Sequence, residues 1–332
     1  MPAILTNNLS VINAENFVDS FVNGESNIYM AIGKGWEEGD SLPKPSEELP
    51  NPTPDLVNKW DDEMNPPVPV DSITKQRDFR KTILGIKKIM LNDILIMVPR
   101  VDWVRNGIFN IKSWDDKVGV RATDYYCITS NNEVWECVHA PETKTKGVSV
   151  EPILPDDLSK LHSATDTRTG ESYYVFKETT ENKDCYWWRY LYTIPVATAN
   201  KKLLDTWMPV MFNKHGVYPG GTLDVEQYKF NGDLNANRTL GAYRVMISCT
   251  LKDEDTIIPY DTVYRQIGLI VDPLSPKPTS DDDNAIQTRL AGNSYNEDQF
   301  DIYSGELVYL ENKRSIKREE NQEETLNLIL VF

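Results

Sequence analysis

Short runs of aromatic and β-branched residues recur along the chain from residue 94 to residue 332, and turn residues separate them. They include ILIMVPRVDW (94–103), CYWWRYLYTIP (185–195), YRVMISCTL (243–251) and VYRQIGLIVDPL (263–274). Residues of these types fit the pleated, half-buried surface of a β-sheet. The pattern predicts a mainly β protein, with a few short helices carried on loops between strands.

Residues 124–141, DYYCITSNNEVWECVHAP, contain two β-rich runs on either side of Asn131 and Asn132. Asparagine tolerates positive φ angles, so the segment predicts a β-hairpin. A two-residue turn would put Cys127 and Cys137 on opposite faces, whereas a three-residue turn would put them opposite each other. The chain has no C-x-x-C pair and its cysteines are irregularly spaced, which favours free thiols over a disulfide.

The closing residues 325–332, TLNLILVF, place apolar side chains on both faces of an extended strand. One face carries Leu326, Leu328, Leu330 and Phe332, and the other carries Ile329 and Val331. A strand with two apolar faces predicts a position inside a sheet. We therefore expect truncation here to cost folding stability.

Helical patterns are confined to short stretches of the chain. In residues 13–24, NAENFVDSFVNG, apolar side chains recur at the spacing of one helical face, with Asn13 as the cap and Asn23-Gly24 as the stop. Residues 71–84 begin with capping residues and predict a second helix. Residues 200–209 carry large apolar side chains on one side and predict a third.

Prolines are concentrated between residues 36 and 70, with acidic residues among them. Neither a helix nor a central strand tolerates this density, so residues 36–84 are predicted to be an extended arm that bears a helix. The arm is a candidate contact element, and a plain surface loop is the alternative. A second helix-bearing loop is predicted over residues 196–240, and residues 1–332 as a whole are predicted to form one structural unit, for which the family resemblance described below implies a β-sandwich.

The chain is strongly acidic, with 35 Lys and Arg residues, 51 Asp and Glu residues and a formal net charge of −16. A negative field of this size repels phosphate backbones, which disfavours nucleic-acid binding. It favours solubility, or steering toward basic partners. No secretory leader pattern and no long apolar run is present, so neither export nor membrane insertion is expected.

Motifs for catalysis, metal binding or cofactor binding are not evident. The three histidines lack ligand spacing, and there is no G-x-S-x-G elbow and no phosphate-binding glycine loop. No catalytic, metal or cofactor-binding residue is therefore predicted. Two alternatives remain open: the aromatic residues would suit a carbohydrate-binding module, and the many acids would allow a glycoside hydrolase.

The last segment also contains a block of opposite charges between its apolar stretches. The basic residues Lys313, Arg314, Lys317 and Arg318 precede the acidic residues Glu319, Glu320, Glu323 and Glu324. One interpretation is a set of salt bridges across a turn within the chain. The other is a dipolar patch at 311–324 that selects a partner by charge complementarity.

A family resemblance rests on residues that occur in the same order along the chain. They are Pro99, Arg100, Asp102 and Trp103 in VPRVDW, Arg265 and Gln266 in YRQIGLIVDPL, and Ser304, Gly305, Glu306, Tyr309, Glu311, Asn312, Gln322, Glu324 and Phe332 in the closing segment. With the aromatic strand WWRYLYTIP, these motifs resemble the dimeric baseplate wedge protein of T-even-type contractile-tail bacteriophages. The resemblance covers about residues 94–332 and is thin over 36–90. At Lys313 the chain departs from the arginine that is common in the family.

The resemblance implies a virion protein of the tail baseplate that is made in the host cytoplasm and has no enzymatic activity. It implies a three-layer β-sandwich with helix-bearing loops at opposite sides. It also implies a homodimer that contacts other baseplate wedge proteins and holds them together during assembly and host attachment. The candidate contact elements are residues 36–84, 196–222 and 311–324.

Overall fold

The structure is a computed structural model that describes residues 7–35, 66, 69, 71–112, 124–142, 146–165, 170, 172–179, 184–194, 206–210, 217–218, 221–222, 236–252, 260–278, 286–320 and 323–332. The helices in these ranges are α1 (Asn7–Val22), α2 (Ile73–Lys81) and α3 (Ala236–Leu240), and 3-10 turns cover Leu91–Asp93, Leu158–Lys160 and Glu297–Gln299. The strands, β1 to β16 in chain order, are Ile28–Gly33, Ile83–Lys88, Ile94–Pro99, Tyr126–Ile128, Glu133–His139, His162–Thr165, Ser172–Lys177, Trp187–Thr193, Trp207–Val210, Val217–Tyr218, Gly221–Thr222, Arg244–Leu251, Val263–Val271, Ser294–Asn296, Glu306–Lys317 and Glu324–Val331.

The strands form antiparallel sheets joined by loops. Their orders are β14–β2–β1–β13–β15, β16–β12–β3–β9 and β4–β5–β8–β7–β6, and β10 pairs with β11 in a separate hairpin. The predicted mainly β class is confirmed, and antiparallel sheets with few helices agree with a β-sandwich.

By its internal contacts the chain divides into two compact units. Residues 1–23, 91–247 and 328–332 form the first unit, and residues 24–90 and 248–327 form the second. Helix α2 lies in the predicted arm, and α3 lies at the end of the predicted loop over 196–240. The prediction that residues 1–332 act as one structural unit, with two excursions, stays a prediction.

In the second unit, α2 contacts its sheet through the buried ring of Phe79. A Cβ atom at Gly268 of β13 would lie 2.7 Å from the Phe79 ring, and one at Gly33 of β1 would lie 2.8 Å from it. Both glycines therefore allow the ring to approach the backbone of the sheet. Around it lie the buried side chains of Tyr29, Ala31, Ile83, Ile86, Ile270, Leu290 and Phe300.

In the first unit, the hairpin of β4 and β5 is confirmed. Asn132 has a φ angle of +59°, and the Thr129 N–H donates to the carbonyl oxygen of Glu133 over 2.9 Å. The turn spans 130–132, so Cys127 lies opposite Trp135. Cys127 and Cys137 are therefore diagonal neighbours on one face, which differs from both predicted arrangements, and both thiols are free. The surrounding core includes Phe109, Tyr186, Trp188 and Tyr190.

Residues 206–210 show that the helix predicted over 200–209 is wrong in its second half. Strand β9 covers Trp207–Val210 and pairs with β3, with Met208 opposite Val98 and Pro209 opposite Met97. Adjacent large apolar residues fit a helical or an extended period over so short a run. Because β9 is an edge strand, Pro209 is tolerated there. Residues 200–205 lie outside the described part of the chain.

The closing segment is predicted to lie inside a sheet, and the observed position of β16 corrects this prediction. Strand β16 lies at the edge of its sheet, with Leu326 and Leu328 buried on one face. On the opposite face Ile329 is 40% exposed and Val331 is 63% exposed. The apolar pattern identified the strand and its buried face, but it could not say how many neighbouring strands β16 has.

The predicted first helix and its stop are confirmed, but its predicted cap is wrong. Helix α1 begins at Asn7, so Asn13 lies inside it on an exposed face. Gly24 follows the helix with a φ angle of +71°. The buried residues Val11, Ala14, Val18 and Phe21 form its inner face.

Candidate assembly surface

Arg80, near the C-terminal end of α2, is buried and joins the helix to the turn that precedes β15. Its Nη1 donates hydrogen bonds to the carbonyl oxygens of Ile302 (2.8 Å) and Ser304 (2.7 Å), and its Nη2 donates to that of Gly305 (2.8 Å). Burial lowers the pKa of Arg80, and the Asp301 carboxylate opposes that shift. Because the guanidinium is a planar fork of donors, it fixes the helix and the turn relative to each other.

Ser304 and Gly305, which contribute to the family resemblance, give this turn its shape. The Ser304 hydroxyl donates to the carbonyl oxygen of Asp301 (2.5 Å) and accepts from the Leu274 N–H (2.8 Å). Gly305 has a φ angle of +65°, and a Cβ atom there would lie 2.5 Å from the carbonyl oxygen of Val271. Glycine is therefore required at this position for both conformation and space.

A groove of about 610 Å³ lies beside the turn and along α2, and we call it the basic groove. It is lined by Ile73, Gln76, Arg77, Arg80, Lys81 and Tyr303. Ile73 is 72% exposed and Tyr303 is 56% exposed, so the groove presents two apolar side chains to solvent. Among the residues that the structure describes, the lining includes three cations and no carboxylate.

Helix α2 begins where the sequence predicts a cap. The Ser72 hydroxyl accepts a hydrogen bond from the Lys75 N–H over 3.2 Å. Starting there, Ile73, Arg77 and Lys81 follow one another at intervals of four residues and share one helical face. This spacing is the sequence signal for the basic groove, and the sequence reasoning missed it because it treated the helix only as part of the arm.

The resemblance residues of β13 and β15 make contacts inside the second unit. Arg265 is buried, and the Gln266 amide donates to the Asn312 side-chain oxygen over 2.8 Å across the paired strands. The Tyr309 hydroxyl donates to the Glu311 carboxylate over 2.9 Å. Burial comes first and Glu311 second among the causes that raise the pKa of Tyr309. These side chains stabilise the strand pair.

The predicted turn over 311–324 is corrected by strand β15, which continues through the charged block to Lys317. Lys317 forms a salt bridge of 2.8 Å with Asp261, and Lys313 forms one of 3.4 Å with Glu311. Both contacts are salt bridges within the chain, but their acidic partners lie outside residues 319–324, so they are not the pairs that the sequence interpretation describes. Both pairs are partly or fully exposed, so each contributes little stability.

Arg318 departs from the predicted surface patch because it is only 1% exposed. Its Nη2 donates to the carbonyl oxygen of Lys252 over 2.7 Å, and its guanidinium carbon lies 5.5 Å from the centre of the Tyr260 ring. Nearby, the Tyr264 hydroxyl donates to the Glu324 carboxylate over 2.7 Å. These buried contacts place Arg318 and Glu324 in the framework of the second unit.

Pro99, Arg100, Asp102 and Trp103 lie together in the first unit, where β3 ends. Arg100 Nη2 lies 2.7 Å from the Asp102 carboxylate, which closes the turn. The Trp103 N–H donates to the carbonyl oxygen of Ile128 over 2.9 Å, which joins the turn to β4. The carbonyl oxygen of Pro99 accepts from the Tyr126 hydroxyl over 2.7 Å. The motif therefore connects a strand end to the hairpin.

The other resemblance residues lie apart from the basic groove. The Phe332 ring lies 5.3 Å from the Phe17 ring of α1, and its N–H donates to the carbonyl oxygen of Tyr243 over 3.1 Å. Glu306 is exposed at the start of β15. Gln322 lies outside the described residues. The structure thus places Ser304 and Gly305 in the turn beside the groove, and most of the other described resemblance residues make contacts within their own unit.

Within the described ranges, no group of three or more His, Cys, Asp or Glu side chains is arranged to hold a metal ion. None of the described helices is long and apolar enough to cross a membrane. His139 stacks on Trp187 at 4.7 Å, and its Nδ1 lies 3.0 Å from the carbonyl oxygen of Cys185. These contacts indicate a structural role for His139. The predictions of no catalytic, metal or cofactor site stay predictions.

Comparisons with known proteins cover both units. The family model described as "Bacteriophage T4, Gp8" matches residues 54–332. The baseplate wedge protein gp8 of Enterobacteria phage T4 is similar to this chain, with 22% identity over 328 residues. The alignment covers 92% of this chain and 93% of that protein. The family match includes the whole of α2, the basic groove and every resemblance residue.

Proposed function

The chain belongs to the family of bacteriophage T4 Gp8, and we propose on that basis that it is a structural subunit of the baseplate wedge in a contractile phage tail. It is a virion protein, located in the tail baseplate. The observation that carries this conclusion is the extent of the similarity, because the alignment with a baseplate wedge protein covers 92% of this chain and 93% of the relative.

The subunit acts by contact with other baseplate proteins, and its role is to provide a rigid framework. Aromatic cores such as the one around Trp135 and Trp188 give antiparallel sheets that resist deformation. Turns such as 302–305 are held by buried hydrogen bonds from Arg80. Such a framework holds surface contact elements at fixed positions while the baseplate changes shape on host attachment.

A homodimer within each wedge and the absence of enzymatic activity are parts of the same proposal. The family resemblance supports the homodimer, and the relative's name, a baseplate wedge protein, supports a structural role. Obligate interfaces of such assemblies bury on the order of 2,000 Å² or more. In the described part of the chain, no observation favours carbohydrate binding or glycoside hydrolysis, and the lining of the basic groove offers no carboxylate pair.

The proposal is tested by reconstitution with the other wedge proteins of the same phage. We expect light scattering after size exclusion to give the mass of a dimer at micromolar concentration, and we expect the dimer to enter a wedge complex. Electron microscopy of tails should then locate the chain in the baseplate. A protein that remains monomeric and enters no wedge complex would contradict the proposal.

A further inference from the structure

The basic groove is lined by positively charged side chains, although the chain as a whole is negatively charged. The protein carries a formal net charge of −16, yet the described lining of this groove contains Arg77, Arg80 and Lys81 and no carboxylate. Arg77 and Lys81 are exposed, and within the described residues neither forms a salt bridge. A local cluster of unpaired cations on an acidic protein attracts acidic groups.

Arg80 adds positive charge beneath the groove. Its donors are directed at neutral carbonyl oxygens, so none of these three hydrogen bonds is made to a carboxylate. The Asp301 carboxylate, which acts electrostatically on Arg80, accepts hydrogen bonds from the Gln287 side chain (3.1 Å) and from the Tyr303 N–H (3.0 Å). Asp71 and Asp78 flank or belong to α2, but neither lines the groove.

The groove also has an apolar component. Ile73 and Tyr303 line it with 72% and 56% of their surfaces exposed. Exposed apolar side chains that adjoin unpaired cations are typical of protein contact sites. A twofold contact that set two such grooves against each other would bring like charges together, so the groove does not suit self-contact.

We propose that the basic groove receives an acidic segment of another baseplate wedge protein. Carboxylates of that segment pair with Arg77 and Lys81, and an apolar side chain of the segment contacts Ile73 and Tyr303. This inference rests on the proposed function, because it presumes that the neighbouring chains are wedge proteins. It specifies a surface and a partner chemistry that the family similarity does not provide.

The first test is reversal of charge in the groove. We expect Arg77→Glu/Lys81→Glu to weaken binding to a reconstituted wedge complex that lacks this protein by about tenfold, and to reduce the salt dependence of binding. The matched control is Lys252→Glu/Lys277→Glu, which reverses two exposed charges of the same unit that do not line the groove. Equal loss of binding in both variants, or no loss in either, would overturn the inference.

The second test identifies the occupant through the amine of Lys81. A zero-length carbodiimide reagent joins an amine to a carboxylate in direct contact with it. We expect a cross-linked peptide that contains Lys81 and an Asp or Glu of another wedge protein. Lys81→Arg keeps the charge but removes the reactive amine, so this variant should bind normally and give no such product.

The outcomes separate the inference from the proposed function. If wild-type protein binds the wedge complex but Lys81 is linked to no wedge protein, the groove proposal fails and the proposed function stands. A link to an acidic residue of this chain itself would assign the groove to a second copy or to its own segment, and would also overturn the inference. Failure of wild-type protein to enter any wedge complex would reject the proposed function.

Discussion

The guanidinium of Arg80 donates a hydrogen bond of 2.7 Å to the carbonyl oxygen of Ser304. This contact links α2, which lies near the C-terminal end of the arm predicted over 36–84, to the Ser-Gly turn that contributes to the family resemblance. The hydrogen bond therefore fixes the position of α2 relative to this turn of the second unit. The face of α2 that carries Ile73, Arg77 and Lys81 is exposed beside this turn.

We expect Arg80→Met to lower the free energy of unfolding by about 2–4 kcal/mol, because three carbonyl oxygens lose a buried charged donor. Equilibrium unfolding in urea measures the change. The control is Arg77→Met, which removes an exposed guanidinium from the same helix and should change stability by less than about 0.5 kcal/mol. Similar effects for the two variants would contradict the role assigned to Arg80.

Gly268→Ala should destabilise the protein by about 1–3 kcal/mol, because the new methyl group would lie 2.7 Å from the Phe79 ring. In a Phe79→Leu background the same substitution should cost less, since the smaller side chain leaves room. A double-mutant cycle measured by urea unfolding gives the coupling between the two positions. Strict additivity would show that Gly268 is needed for a reason other than the ring.

The sequence predicts most of the strands because their residue types and periods agree. The runs that become β3, β8, β12 and β13 are rich in β-branched or aromatic residues and end at turn residues. The cap at Ser72 likewise predicts α2. The helix predicted around Trp207 is wrong because the apolar run is too short for its period to distinguish a helix from a strand.

Other features depend on long-range packing that local patterns do not encode. The hairpin turn is three residues long, and a shift of the turn by one residue along the chain would change the partner of Cys127. The observed position places Cys127 opposite Trp135. Arg318 reads as a surface charge beside Lys317, yet the fold buries it near Tyr260. The basic groove requires α2 and Tyr303 to meet, and they are far apart in sequence.

Stability should fall at alkaline pH, with Tyr29 as one contributor. Burial, with a smaller effect of Tyr295, raises the pKa of Tyr29 to about 12. The unfolded chain has a tyrosine pKa of about 10, so this contribution is fully present below about pH 10 and is lost as the pH rises through about 12. The slope for one tyrosine approaches about 1.4 kcal/mol per pH unit.

Urea unfolding at about pH 9, 10 and 11 measures this dependence. Tyr29→Phe should be less stable at about pH 9, because it loses the 2.7 Å hydrogen bond to the carbonyl oxygen of Gly292, but its decline with pH should be shallower, so the difference from wild type should shrink at about pH 11. Tyr303→Phe removes an exposed hydroxyl and should keep the wild-type slope. An unchanged slope in Tyr29→Phe would contradict the assignment.

The last prediction concerns the two faces of β16. Leu328 is 1% exposed whereas its neighbour Ile329 is 40% exposed, so the same truncation to alanine removes a core contact in one case and a surface contact in the other. We expect Leu328→Ala to lower the free energy of unfolding by about 2–4 kcal/mol and Ile329→Ala by less than about 1 kcal/mol. Thermal and urea unfolding of the isolated protein measure both values. An edge strand with a solvated outer face should show this difference between its two faces. Comparable losses would mean that Ile329 is covered in the isolated protein and that β16 is not an edge strand in solution.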